Sequence, residues 1–172
     1  MQPPEVKKTG KRAKTPEQAL AALMRLCARA EKSQDDVRRL MRGWGLAERE
    51  GEQVLARLVR DRFIDDGRYA EAFVRDKLRL SGWGEYKIRT ALQRKRIDRE
   101  LIDAALAQAD RQDMAGRLRQ QLERKMRTTR HTTQYELKTK LIRYGLSLGY
   151  DYETVVEAAS GLVTDTETCD EF

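Results

Sequence analysis

One apolar spacing occurs three times along this chain, and a repeated spacing reports a repeated packing unit. Val37, Leu40, Met41 and Leu46 stand at relative positions 0, 3, 4 and 9; Ile88, Ala91, Leu92 and Ile97 repeat the pattern, and Leu141, Tyr144, Gly145 and Tyr150 repeat it again. The first three positions share one face of an α-helix, and the fourth lies past its end. Upstream, Leu23 precedes Val37 by 14 residues and Val74 precedes Ile88 by 14, whereas Leu122 precedes Leu141 by 19. Downstream, Ile102 follows Ile97 by 5 and Val155 follows Tyr150 by 5, against 8 from Leu46 to Val54, which predicts a longer turn before the last helix of the first unit. Each unit thus holds three helices, in the length range where helical repeats stack through shared faces. The predicted fold is all-α, three tandem three-helix repeats forming an elongated, curved array. The units are placed at 15–62, 63–110 and 111–160, between a disordered basic arm at 1–14 and an acidic tail at 161–172.

Local signals agree with this division. Thr15-Pro16-Glu17-Gln18 supplies an N-cap hydroxyl, a proline at the first helical position and a Gln at the third, which together start a helix. Ser33 is predicted to cap the next helix, ending at Gly43 and Gly45, and Asp98 a short helix carrying Leu101, Ile102, Ala105 and Leu106. Ser81-Gly82-Trp83-Gly84 ends the helix of Phe73 and Val74, and residues 128–133, rich in Thr, interrupt the third unit. The arm is basic (Lys7, Lys8, Lys11, Arg12 and Lys14), and the tail, with Asp165, Glu167, Asp170 and Glu171, follows a break at Gly161. No run of strict alternation bounded by hairpin turns predicts a strand.

Charged residues make up 37% of the 172 residues and aromatics 6%, so apolar surface is scarce, as in extended helical arrays rather than thick globular cores. A net charge of +7 draws the chain to polyanions or acidic protein surfaces. Cys27 and Cys169 have neither metal-ligand spacing nor a disulfide framework, which fits free thiols in a reducing cytosol. No apolar run approaches the ~20 residues that span a bilayer, so a cytoplasmic protein without a membrane partner is expected.

The run Phe63-Ile64-Asp65-Asp66-Gly67-Arg68-Tyr69-Ala70-Glu71-Ala72-Phe73 resembles the signature of the RecX family of bacterial RecA regulators, as do Gly82, Ile88, Leu92 and Ile97 downstream. Ala19-Leu20 before Leu23, and Gly149-Tyr150 before Val155, are similar to that family's first and third units. The resemblance covers residues 15–159 and departs from the family's compact third unit at residues 128–133. It implies a three-repeat helical protein that binds the RecA nucleoprotein filament, along its helical groove, and restrains its ATPase, strand exchange and coprotease activities. From the residues themselves, which offer no credible catalytic constellation, no cofactor and no enzymatic activity are expected.

Asp65-Asp66 is the one adjacent carboxylate pair in a pronounced motif, but no His or third carboxylate stands at ligand spacing, so a helix cap is expected rather than a metal or acid/base site. Ile64, Tyr69, Ala70 and Phe73 complete that structural motif. His131, the sole histidine, falls in the Thr-rich segment and reads as surface linker rather than catalyst. Gly43-Trp44-Gly45 and Gly82-Trp83-Gly84 lack the lysine of a phosphate loop and read as helix ends, with Trp44 and Trp83 buried between helices rather than stacked on bases. No metal site and no catalytic constellation is predicted.

The candidate partner- or DNA-binding residues are basic positions off the apolar stripes of the middle helices: Arg38, Arg39 and Arg42; Lys87, Arg89, Arg94, Lys95 and Arg96; Lys138, Lys140 and Arg143. They form either one binding face or an ordinary solvated surface, and their places do not coincide from unit to unit as a repeating phosphate code would. The expected partner is the RecA filament on DNA, or DNA directly, met by a monomer. A DNA-binding module or transcription factor acting without RecA is the alternative, because three-helix units with basic faces can present a helix to the major groove.

Overall fold

The computed structural model describes residues 13–167. Among them nine α-helices and one π-helical turn follow one another, and no strand occurs. They are α1 (Pro16–Cys27), α2 (Gln34–Gly43), α3 (Glu48–Arg60), α4 (Asp66–Asp76), the π turn (Lys77–Ser81), α5 (Glu85–Arg94), α6 (Arg99–Ala107), α7 (Arg111–Thr128), α8 (Gln134–Ser147) and α9 (Tyr152–Glu167). No helix among the described residues is long and apolar enough to cross a membrane. Residues 1–12 of the expected arm, and Cys169, Asp170 and Glu171 of the expected tail, lie outside the described residues.

The helix starts follow from the caps. The Gln18 amide donates to Thr15 Oγ1 at 3.3 Å while the Thr15 amide donates to Gln18 Oε1 at 3.2 Å, a reciprocal capping box. Ser33 accepts from the Asp36 amide at 3.1 Å and is itself fully buried. Asp98 holds the N-cap position of α6, but its side chain makes no capping bond, contrary to expectation.

Burial reproduces the repeat. Relative positions 0, 4 and 9 are buried in all three units, as Val37, Met41 and Leu46, then Ile88, Leu92 and Ile97, then Leu141, Gly145 and Tyr150, while Leu40, Ala91 and Tyr144 are half-buried. One residue before position 9, each unit turns through the left-handed region: Gly45 at φ +80°, Arg96 at +57° and Gly149 at +91°. The longer turn expected in the first unit is absent, because α3, α6 and α9 each begin at the same distance after Leu46, Ile97 and Tyr150. The residue five beyond Leu46 is Gly51, whose lack of a side chain hid the register. Met41 occupies the space, its Cε 3.6 Å from where a Gly51 Cβ would stand. The third unit reverses the exchange: Gly145 replaces the large residue of α8, and a Cβ there would meet Val155 Cγ1 at 2.7 Å. Large and small residues thus trade places across one contact at nearly constant volume, the substitution that cores tolerate best.

The described residues form two compact units, the first ending at Tyr69 and the second starting at Ala70. The first compact unit includes the first turn of α4 because that turn is fastened to it. Ile64 belongs to the core of Leu23, Val37, Leu55 and Leu58, and Phe63 packs against it. Arg68 bonds Glu31 at 3.1 Å. Ala13 and Lys14, expected in the arm, are also held, since the Lys14 amide donates to the Trp44 carbonyl at 3.0 Å.

Within the second compact unit the second and third three-helix groups are locked end to end. The amides of Gly84 and Tyr86, at the start of α5, donate to the carbonyls of Leu148 (2.7 Å) and Gly149 (3.0 Å), at the end of α8. Unsatisfied amides of one helix start thereby meet unsatisfied carbonyls of another helix end, with favourable dipole alignment. A Cβ on Gly84 would strike the backbone of Gly149 and Tyr150, and one on Gly149 would strike Lys87, so only glycine permits the approach. On α7, Gln121 donates to the Gly82 carbonyl at 2.8 Å, tying down the end of the π turn.

Residues 128–133 do not interrupt the third unit. The additional residues lengthen α7 to 18 residues and α8 to 14, against 12 for α1 and 10 for α2, so the Thr-rich segment is the tip of an extended helical hairpin. Leu118, Leu122, Leu141, Val155, Ala159 and Leu162 share its core. The expected break at Gly161 is absent too, because α9 passes through it to Glu167.

Candidate anion-binding surface

Both carboxylates of the Asp65-Asp66 motif are engaged by helix starts. Asp65 Oδ1 accepts the Arg68 amide at 3.0 Å, capping its own helix α4, and Asp66 Oδ1 accepts the Gln34 amide at 2.9 Å, at the start of α2. Each cap of this kind contributes about 0.5–2 kcal/mol. Ile64, Tyr69 and Ala70 are buried and Phe73 is half-buried, so the rest of the motif is packing.

Several predicted basic positions are committed inside their own three-helix unit. Arg38 on α2 pairs with Glu52 on α3 at 2.7 Å, and Arg89 on α5 pairs with Asp103 on α6 and with Glu85. The two Arg positions are equivalent in the repeat, as are Glu52 and Asp103. The guanidinium of Arg38 holds the Glu52 carboxyl below its ordinary pKa, and Arg89 does the same to Asp103. In the third unit the equivalent residues are Ile142 and Val156, both half-buried, so no ion pair stands at those positions. Arg39 bonds Asp36 on its own helix. Lys87 donates to the Ser147 carbonyl at 3.1 Å and lies 4.7 Å over the Trp83 ring.

Trp83 and Trp44 are half-buried rather than enclosed between helices. Lys77 covers the Trp83 ring at 4.6 Å, Phe73 meets that ring edge-on at 6.4 Å, and Lys14 covers Trp44 at 5.3 Å. Lys95 and Arg96 form the C-cap turn of α5, Arg42 and Arg94 are exposed near the ends of α2 and α5, and Lys138 is half-buried on α8.

Lys140 and Arg143 are the predicted residues that share a site. With Lys125 and Thr128 of α7, Thr129, Arg130 and Tyr144 they line an open hollow of about 500 Å³. Lys140 braces it, donating to the Arg130 carbonyl at 2.8 Å and pairing with Glu136 at 2.6 Å. Glu136 also accepts the Thr132 amide and hydroxyl, each at 2.9 Å, and Lys140 with these bonds lowers its carboxyl pKa to about 2. The Thr128 and Thr129 hydroxyls donate to the Lys125 carbonyl, covering an acceptor at the end of α7. The Lys125 ammonium stands 5.3 Å above the Tyr144 ring, whose hydroxyl bonds Gln121. His131, at the exposed tip, has Nδ1 3.1 Å from the Thr129 carbonyl.

The hollow therefore presents cations from two helices and a turn, and no carboxylate lines it. A second hollow, about 670 Å³, is lined by Glu85, Asp151 and Glu157 together with Arg89 and Arg111, and so has no single sign. Sequence reasoning missed Lys125 and Arg130 because it sought bases on middle helices alone, whereas the extended hairpin brings the end of α7 beside α8.

Residues 65–106 match the family model of the RecX second three-helix domain, and residues 112–158 that of the RecX third three-helix domain. The chain is 31% identical over 133 residues to the regulatory protein RecX of Clostridium beijerinckii, covering 76% of this chain and 61% of that protein. To the regulatory protein RecX of Clostridium botulinum it is 33% identical over 95 residues, covering 54% and 44%. The chain thus spans less than two thirds of the length of these clostridial relatives. It is 28% identical over 155 residues to the regulatory protein RecX of Streptomyces coelicolor, covering 88% and 82%. The crystal structure of RecX from Lactobacillus salivarius has the same fold, with a TM-score of 0.74 at 19% identity over 86% of this chain and 96% of that one.

Proposed function

The chain belongs to the RecX family of regulatory proteins, and from that membership we propose that it binds the RecA nucleoprotein filament and restrains RecA's ATP hydrolysis, strand exchange and coprotease activity. The observation that carries this reading is the match of two consecutive family domains across residues 65–106 and 112–158, the part of the chain that holds the Asp65-Asp66 motif and the glycine joint. Regulation on this reading is steric and electrostatic rather than catalytic: both motif carboxylates are occupied as caps, and the joint between α5 and α8 lets two three-helix groups act as one body on a repeating partner. Contact with neighbouring RecA protomers would slow their turnover, and contact at a filament end would block growth.

Capture experiments test the partner. Immobilised chain should retain RecA assembled on single-stranded DNA more than RecA without DNA, and failure to retain RecA under either condition contradicts the proposal.

The basic hollow favours a second reading, a DNA-binding module acting without RecA. A sequence-reading module would bind one duplex far more tightly than unrelated duplexes at the same salt concentration, typically by a factor of about 10³ or more. Equal binding across duplexes excludes a transcription-factor role.

A further inference from the structure

We propose that the hollow between the end of α7 and α8 is a seat for the phosphodiester backbone of a nucleic acid, held without regard to base sequence. The inference deepens the proposed function by giving a filament-binding chain its own contact with the filament's DNA, but it stands on the hollow itself and can be tested without RecA.

Lys125, Arg130 and Arg143 converge on the hollow from α7, the hairpin tip and α8, and Lys140 adds an ammonium already braced against Glu136 and the Arg130 carbonyl. The helix dipole accounts for cations in the last turn of α7, where Lys125 and Arg127 lie. It does not account for Lys140 and Arg143, which stand within α8. Carbonyls at the end of α7 would repel an anion, but the Lys125 carbonyl is already taken by the Thr128 and Thr129 hydroxyls. An open hollow of about 500 Å³ admits a phosphate with its flanking sugars, and the half-buried Tyr144 ring offers an apolar surface to a sugar.

The choice of a nucleic acid over an acidic protein follows from what the hollow lacks. Stable protein interfaces centre on apolar or aromatic anchors inside a polar rim. Here Tyr144 is the one aromatic lining residue, already lying beneath Lys125, and the remainder are Lys, Arg and Thr. Charge convergence without an apolar anchor is how phosphate backbones are held, and it gains chiefly from counterion release.

The test is fluorescence anisotropy of a labelled oligothymidylate with the full chain alone, titrated with salt. The double variant Lys125→Ala/Arg143→Ala should weaken binding about tenfold at low salt and lower the salt slope by about 1.4. Arg29→Ala/Arg49→Ala, which removes the same charge at exposed positions outside the candidate basic face, should retain most of the affinity and the slope. Circular dichroism checks that both variants stay helical, and Arg143→Glu supplies a single-site reversal if the double variant does not. Equal losses from both double variants overturn the proposal, as does an Arg143→Glu chain that binds like wild type. Displacement by polyglutamate as effective, charge for charge, as displacement by unlabelled oligonucleotide assigns the hollow to acidic protein and also overturns it.

Discussion

Arg38 and Arg89 are good candidates for a binding face when read along a helix, and the fold turns both inward to Glu52 and Asp103. Ion pairs as solvent-exposed as these contribute about 0–1 kcal/mol each, so they clasp a middle helix to a last helix without dominating stability. Replacing one by the apolar residues that stand at these positions in the third unit, as Arg38→Ile/Glu52→Val, should leave the melting temperature nearly unchanged, whereas Arg38→Ala alone should lower it slightly. A large loss from the double variant would show that the pair has a further role. Asp66 carries more weight, because its carboxylate caps α2 from the start of α4. Asp66→Ala should cost about 1 kcal/mol or more in denaturant unfolding and Asp66→Asn less, since the amide oxygen still accepts a bond. Glu136 supplies a pH dependence. Its folded pKa of about 2 lies below the ordinary 4.5, so its stabilisation is fully present above the ordinary value and is lost as pH falls through the folded one. Carboxyl titration by NMR should find Glu136 still ionised at pH 3, and a midpoint near 4.5 would remove the brace from Lys140.

At the scale of elements, the glycines separate packing from propensity. Gly149→Ala places a Cβ at φ +91° and against Lys87, and Gly84→Ala drives one into the Gly149 backbone, so each should cost more than about 2 kcal/mol and uncouple α5 from α8. Gly116, inside α7 with nothing near its missing Cβ, behaves oppositely: Gly116→Ala should stabilise by about 0.5–1 kcal/mol. A stabilising Gly149→Ala would refute the joint. Helices, and caps such as Thr15, Ser33 and Asp65, were legible in the sequence because each is written locally, whereas Asp98 holds a cap position without making the bond. Gly51 was misread because the side chain that fills its place belongs to Met41 on another helix. The joint was not legible, since a glycine read as a helix end gives no sign of the backbone that approaches it. The hollow was hidden for a related reason: residues 128–133 have the composition of a linker, and only the lengthening of both flanking helices turns them into a wall. Gly161 misled in the other direction, because a single glycine inside a packed helix costs only about 1 kcal/mol, which the burial of Ala159, Leu162 and Val163 offsets.

At the scale of the whole molecule, family membership and local chemistry bear on different parts of the account. The family places the chain among regulatory proteins, and the three-helix groups supply its scaffold. RecA as the partner, and restraint as the outcome, form the central proposal. The most direct test is the rate of ATP hydrolysis by RecA on excess single-stranded DNA as this chain is added. Excess DNA excludes sequestration of the strand as the cause of any change. The account predicts that the rate falls at amounts of chain well below one per RecA protomer; a rate unchanged at equimolar chain would contradict it.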